Sequence, residues 1–253
     1  MSSLVYFVIG TPGSGRRAIV RDLVENGLAA TDRALVLLAD SEAPDVADAK
    51  LAALKNVEVR RWRWTPAELP PMEIAGGTTV FFLADSRVSP IDQVEALKPW
   101  LEQQGAELAR IFCMIDCQLA EKNPVLRQWF DAIIHFADVV FLTRREGLAN
   151  KWLSDFIKHF KDAYFPCHFV QVKAKGDLAT PLVWLDPLAR RVTQYFEEGE
   201  TYVIAGLETD DEEGEEDTGL LPEEPYFKRD RSGRREKELP DITKFLAPAA
   251  GEK

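Results

Sequence analysis

Short apolar runs alternate with stretches of helical spacing along most of the chain. Leu4 to Ile9 is an unbroken apolar run, rich in β-branched and aromatic side chains, the pattern of a strand buried on both faces. A glycine-rich turn follows, and then Ile19, Val20, Leu23 and Val24 recur at the spacing of a helix. Further strands are predicted over Ala34–Ala39, Val57–Trp64, Thr78–Ala84, Arg110–Cys117, Ala137–Leu142 and Cys167–Val172. Helices are predicted between them over 45–54, 89–105, 124–136 and 152–160, with a last one over 187–196. The helix over 89–105 carries the clearest local signals: Ser89 as N-cap, Pro90 at the first helical position, and a stop at Gly105.

Strands that alternate with helices imply a mostly parallel sheet covered on both faces. The predicted fold is therefore an α/β domain over residues 1–199 that binds ligands at the carboxyl ends of its strands. The strand Val57–Trp64 places Glu58, Arg60, Trp62 and Trp64 on one side. It could stack bases, but packing of the tryptophans under a helix is the favoured reading.

Beyond residue 199 the pattern stops. Residues 210–217 are almost all acidic, a block of like charge that cannot build a core. Residues 200–253 are read as an acidic, largely disordered tail, with a partner-binding segment near Phe227 or Phe245 as an option for a protein partner.

Charge sharpens this division. Of the net charge of −11, residues 197–253 supply most, with 18 acidic against 8 basic side chains, so the body is close to neutral. A neutral body with an acidic tail gives no footprint for nucleic acid. No run approaches the ~18 apolar residues of a membrane span, and the N-terminus lacks the basic and apolar regions of an export signal. With only Cys113, Cys117 and Cys167 there is no disulfide framework, and a cytoplasmic protein is expected.

The candidate chemistry lies in the first turn. Gly10-Thr11-Pro12-Gly13-Ser14-Gly15-Arg16-Arg17 has the spacing of the phosphate-binding G-x-x-x-x-G-K-[ST], between a strand and a helix as that motif requires. Its backbone N–H groups would cradle phosphate, with the positive end of the helix behind them. Arg16 stands where lysine reaches the β and γ phosphates, and Arg17 where a hydroxyl ligates Mg²⁺. Arginine offers only donors, so Arg17 cannot ligate a cation.

Further stretches fall in the order of one family. The segments Val8–Gly15, Leu83–Pro90, Met114–Cys117 and Phe136–Leu148 together resemble the CobW/HypB/UreG group of P-loop GTPases, closest to its CobW branch of metallochaperone-like proteins. The resemblance implies a purine nucleotide, GTP or GDP rather than ATP, a switch segment at 83–90, and base recognition by Thr143, Arg144 and Glu146. It also implies a homodimer through the switch surfaces. The departures fall where the chemistry should be. Leu83 replaces the switch glutamate, Ser86 the switch glycine, and Thr143-Arg144-Arg145-Glu146 the guanine-reading N-K-x-D.

Asp40, Asp85 and Asp116 are the candidate Mg²⁺ carboxylates, although Mg²⁺ itself is in doubt. The branch's cysteine-rich metal motif is absent, and its C-terminal domain is replaced by the acidic tail. Cys113 and Cys117, about 13 Å apart on one strand, are too distant for one zinc ion, and His135, His159 and His168 show no ligand spacing.

Three readings stay open. The first is a degenerate CobW-like domain, a pseudo-GTPase that binds a purine nucleotide weakly or not at all in a regulatory, metal-chaperone-related or scaffolding role. The second is an active GTP hydrolase with Arg16 in place of the lysine. The third is a protein-interaction module with no nucleotide.

Overall fold

The apolar runs do become strands, and all of them run parallel. The computed structural model describes residues 2–66, 68–173, 176–197 and 223–246. Its elements are β1 (Ser3–Gly10), α1 (Arg16–Gly27), β2 (Ala34–Ala39), α2 (Val46–Ala52), β3 (Val57–Trp62), β4 (Thr79–Leu83), α3 (Pro90–Gln104) and β5 (Ala106–Asp116). After these come α4 (Cys117–Lys122), α5 (Arg127–His135), β6 (Val139–Thr143), α6 (Asn150–Asp162), β7 (His168–Gln171) and the short α7 (Pro181–Trp184). The strands form one seven-stranded sheet in the order β3-β2-β4-β1-β5-β6-β7. This is the P-loop NTPase-like α/β architecture, with β1 in the middle and the glycine turn at its carboxyl end.

The two-residue period of β1 divides the core. Val5, Phe7 and Ile9 face α3, α5 and α6, where they meet Val94, Leu97, Phe130 and Phe156. Tyr6 and Val8 face the other way, toward Ile19, Val20 and Leu23 of α1. Phe7, Phe82 and Phe112 are fully buried on β1, β4 and β5, as expected of strands covered on both faces. Trp62 is buried too: its indole N–H donates to the Leu83 carbonyl at 3.1 Å and its ring meets Phe82 edge-on. β3 thus packs its tryptophan inward instead of offering it to bases.

Local signals decide α3 as expected. The Ser89 hydroxyl accepts from the Asp92 N–H, Pro90 opens the helix, and Gly105 closes it in the left-handed conformation. Among the described residues no helix is long and apolar enough to cross a membrane.

Two boundaries, one helix and the tail need correction. Cys117 does not continue β5 but opens α4, and the predicted helix 124–136 begins as a 3₁₀ turn over Pro124–Leu126 before α5. The predicted helix at 187–196 does not form. Asp138, fully buried at the start of β6, takes the Arg190 N–H at 2.5 Å and pairs with Arg191 at 3.0 Å, which pins that segment in an irregular path.

The last correction concerns the tail. Residues 223–246 lie against the body: Phe227 stacks on Phe136 with centroids 5.6 Å apart, and Ile242 joins the core. The aromatic spots read as a partner-binding segment are used within the chain itself. The acidic block at 210–217 lies outside the described residues.

Candidate functional site

The turn after β1 keeps the build of a phosphate cradle. Gly10 has no room for a side chain, because a Cβ there would lie 2.9 Å from both the Met114 carbonyl and the Ser14 hydroxyl oxygen. Gly15 is the N-cap of α1 in the left-handed region (φ +85°), so no side chain caps the helix. Its first-turn N–H groups therefore have no side-chain partner at the positive end of the helix dipole, and no acidic residue stands in that turn. The hydroxyl of Thr143 reaches the carbonyls of Ser14 at 2.8 Å and Ile115 at 2.9 Å, which ties the loop to β5 and β6. The buried hydroxyls of Thr11 and Ser14 have no hydrogen-bond partner among the described residues.

Arg16 and Arg17 are both held by carboxylates. Arg16 is 3% exposed; it donates to the Ala84 carbonyl at 2.6 Å and forms an ion pair with Glu42. Arg17 meets the other oxygen of Glu42 at 3.1 Å, Asp48 at 3.2 Å and the Ala43 carbonyl at 2.9 Å. Glu42, in the turn after β2, also accepts from the backbone N–H and hydroxyl of Ser86, at 3.2 and 2.7 Å. Burial raises the Glu42 carboxyl, but the Arg16 guanidinium and the Ser86 hydrogen bonds outweigh it and hold the carboxyl below its ordinary value. One carboxylate therefore fastens the glycine loop to the switch-like segment. In the sequence its only signal is a second acid, after Asp40, in the turn Asp40-Ser41-Glu42 at the carboxyl edge of the sheet.

Above the loop lies a cavity of about 610 Å³, lined by residues of the glycine loop and by Glu42, Asp45, Arg87, Asp116, Lys122, Arg144 and, from the C-terminal segment, Phe245 and Leu246. Five cationic and three carboxylate side chains line it, so the surplus favours an anion. The volume falls in the range of small-molecule sites.

The candidate base-reading residues are divided. Thr143 is buried in its bonds to the loop, Arg144 lines the cavity, and the exposed Glu146 is not part of the lining.

The three candidate Mg²⁺ carboxylates do not meet. Asp40 faces Arg63 at 3.7 Å on the surface. Asp85 accepts from the Ser41 hydroxyl at 2.6 Å and the Arg87 N–H at 2.9 Å. Asp116 caps α4 by accepting from the Leu119 N–H at 3.0 Å. Mg²⁺ demands several oxygens in near-octahedral order. With Arg16 and Arg17 filling the ground between α1 and Glu42, the described residues do not fit it.

Among the described residues no group of three or more His, Cys, Asp or Glu side chains could hold a metal ion. The three cysteines are free and buried, and burial pushes the Cys117 and Cys167 thiols up to about 12, out of the range of ready ligands or nucleophiles.

No family model matches the chain, and no curated protein matches it. Solved structures do, among them the Zn(II)-bound YjiA GTPase from E. coli, 14% identical, with a TM-score of 0.41 over 73% of this chain. The match spans 61% of that chain, less than two thirds of its length.

Proposed function

We propose that this chain is a degenerate P-loop domain of the CobW/HypB/UreG kind, a pseudo-GTPase that holds a purine nucleotide by its phosphates and does not hydrolyse it. One observation carries the reading: an uncapped glycine cradle beside a cation-rich cavity, with both arginines of the motif fastened to Glu42. The cradle supplies N–H donors and the helix dipole, which suffice to hold an anion.

Phosphoryl transfer asks for more, since it depends on a metal and a positioned cation to offset charge on the transferred group. Arg16 is committed to Glu42 and Ala84, and among the described residues no set of ligands fits the metal. A nucleotide that is bound but not consumed suits a regulatory or scaffolding role. The contact from Glu42 to Ser86 supplies a route by which occupancy of the loop would be felt at the segment before α3.

The test is calorimetric titration of the full chain with GTP, GDP and ATP. Saturable micromolar binding, with a guanine nucleotide at least as tight as ATP, is expected. An absence of binding up to millimolar nucleotide would leave the cradle as a structural turn.

A further inference from the structure

Three cations line the cavity outside the Glu42 lock. Arg87 comes from the segment between β4 and α3, Lys122 closes α4, and Arg144 follows β6. No ion pair of Arg87 or Lys122 forms among the described residues. Arg144 keeps one loose contact, its Nη1 lying 3.5 Å from the Asp116 carboxylate with half the side chain exposed.

The placement of Arg144 is the strongest of these observations. A Cβ on Gly13 would lie 3.6 Å from Arg144 Nη1, so the guanidinium stands directly over the glycine loop. Its backbone is in the left-handed region (φ +49°), which side chains with a Cβ rarely adopt. Strained residues of this kind gather at ligand clamps. Counted from the sequence, Arg144 stands in the base-reading segment; in space it reaches the phosphate cradle.

We propose that the site takes a nucleoside polyphosphate without a divalent cation, and that Arg144, with Arg87 and Lys122, supplies the positive charge that a lysine and a metal supply in a P-loop hydrolase. The inference rests on the nucleotide reading above and names the form in which the nucleotide binds. The guanidinium fork matches two phosphate oxygens at once. Mg²⁺ would compete for those same oxygens while finding no set of protein ligands of its own among the described residues.

The test is calorimetric titration of the full chain with GTP and with ATP, each in excess EDTA and in excess Mg²⁺. It is run on the natural sequence, on R144N and on K122Q. Asparagine tolerates the left-handed backbone, so R144N removes the charge and keeps the turn; R144G serves if R144N does not fold.

Affinity in EDTA equal to or above that in Mg²⁺ is expected. R144N should lose about tenfold or more, the scale of one charge-assisted contact, and K122Q about two- to fivefold, that of an exposed one. Binding that appears only with Mg²⁺, or R144N within twofold of the natural chain, overturns this inference and leaves the nucleotide reading standing. No binding by the natural chain in either buffer overturns the nucleotide reading and this inference with it.

Discussion

At Glu42 a single carboxylate, 9% exposed, holds two guanidinium groups and a serine, and the character of the site follows from that. Removing one partner of a buried ion pair leaves the other charge without compensation, which costs about 3–5 kcal/mol. E42A should therefore lower stability by about that amount in denaturant unfolding, well beyond the loss expected at a surface position. The dependence on pH has a definite sign. Because the Glu42 carboxyl sits below its ordinary value in the folded protein, its contribution is present above the ordinary glutamate range and is lost as pH falls through the lowered value. The gap between the natural chain and E42Q should be widest at neutral pH and close in acid; a gap that is constant with pH would contradict the lock.

Residue identity alone made Arg16 and Arg17 legible as departures from the motif. Where their side chains go was not legible, because the partner comes from a different turn, 26 residues further along for Arg16.

Among elements, the C-terminal segment 223–246 differs most from what the sequence predicts. Arg235 meets Asp92 and Glu95 of α3, each at 2.5 Å, but both carboxylates are more than a third exposed, and such pairs contribute at most about 1 kcal/mol. The aromatic contacts weigh more. Phe227 stacks on Phe136 and meets Tyr195 edge-on at 4.7 Å, and each such pair is worth about 0.5–1.5 kcal/mol beyond burial. F227A should therefore cost about 1–3 kcal/mol from those two pairs, more than D92N, as read by the shift in the thermal unfolding midpoint. The reverse ranking would mean that charge holds the segment. Glu224 fixes its start, buried between His135 at 3.0 Å and Thr193 at 2.6 Å.

The elements that the sequence announces are those with local causes. β1 follows from its apolar run and α3 from its cap, proline and glycine. The segment 187–196 has helical spacing as well, but a buried acid 52 residues away claims its backbone. The apolar residues of 223–246 are too sparse to form a periodic pattern, and only the surface waiting on α5 and around Tyr195 gives them a place.

Across the whole molecule, seven parallel strands bring four separate turns to one edge, and the cavity opens there. The site is assembled from distant parts of the chain: the glycine loop after β1, Glu42 after β2, Arg87 after β4, and Arg144 after β6. Sequence spacing reached the first of these fully and the last in part, by treating Arg144 as a base reader. It had Arg87 only as part of the switch segment and Phe245 only as part of a partner-binding spot, while Lys122 and Leu246 belong to no motif; all four enter the cavity only through the fold.

The central claim is that the cradle holds a nucleotide that the protein leaves intact. The most direct measurement is a single-turnover assay, with the full chain in excess over GTP labelled on its γ phosphate, Mg²⁺ present, and nucleotide and phosphate separated over time. Bound GTP is expected to be recovered whole, with loss at no more than the rate of spontaneous hydrolysis. Release of labelled phosphate above that rate, abolished by R16A, would contradict that claim and make Arg16 a working catalytic cation.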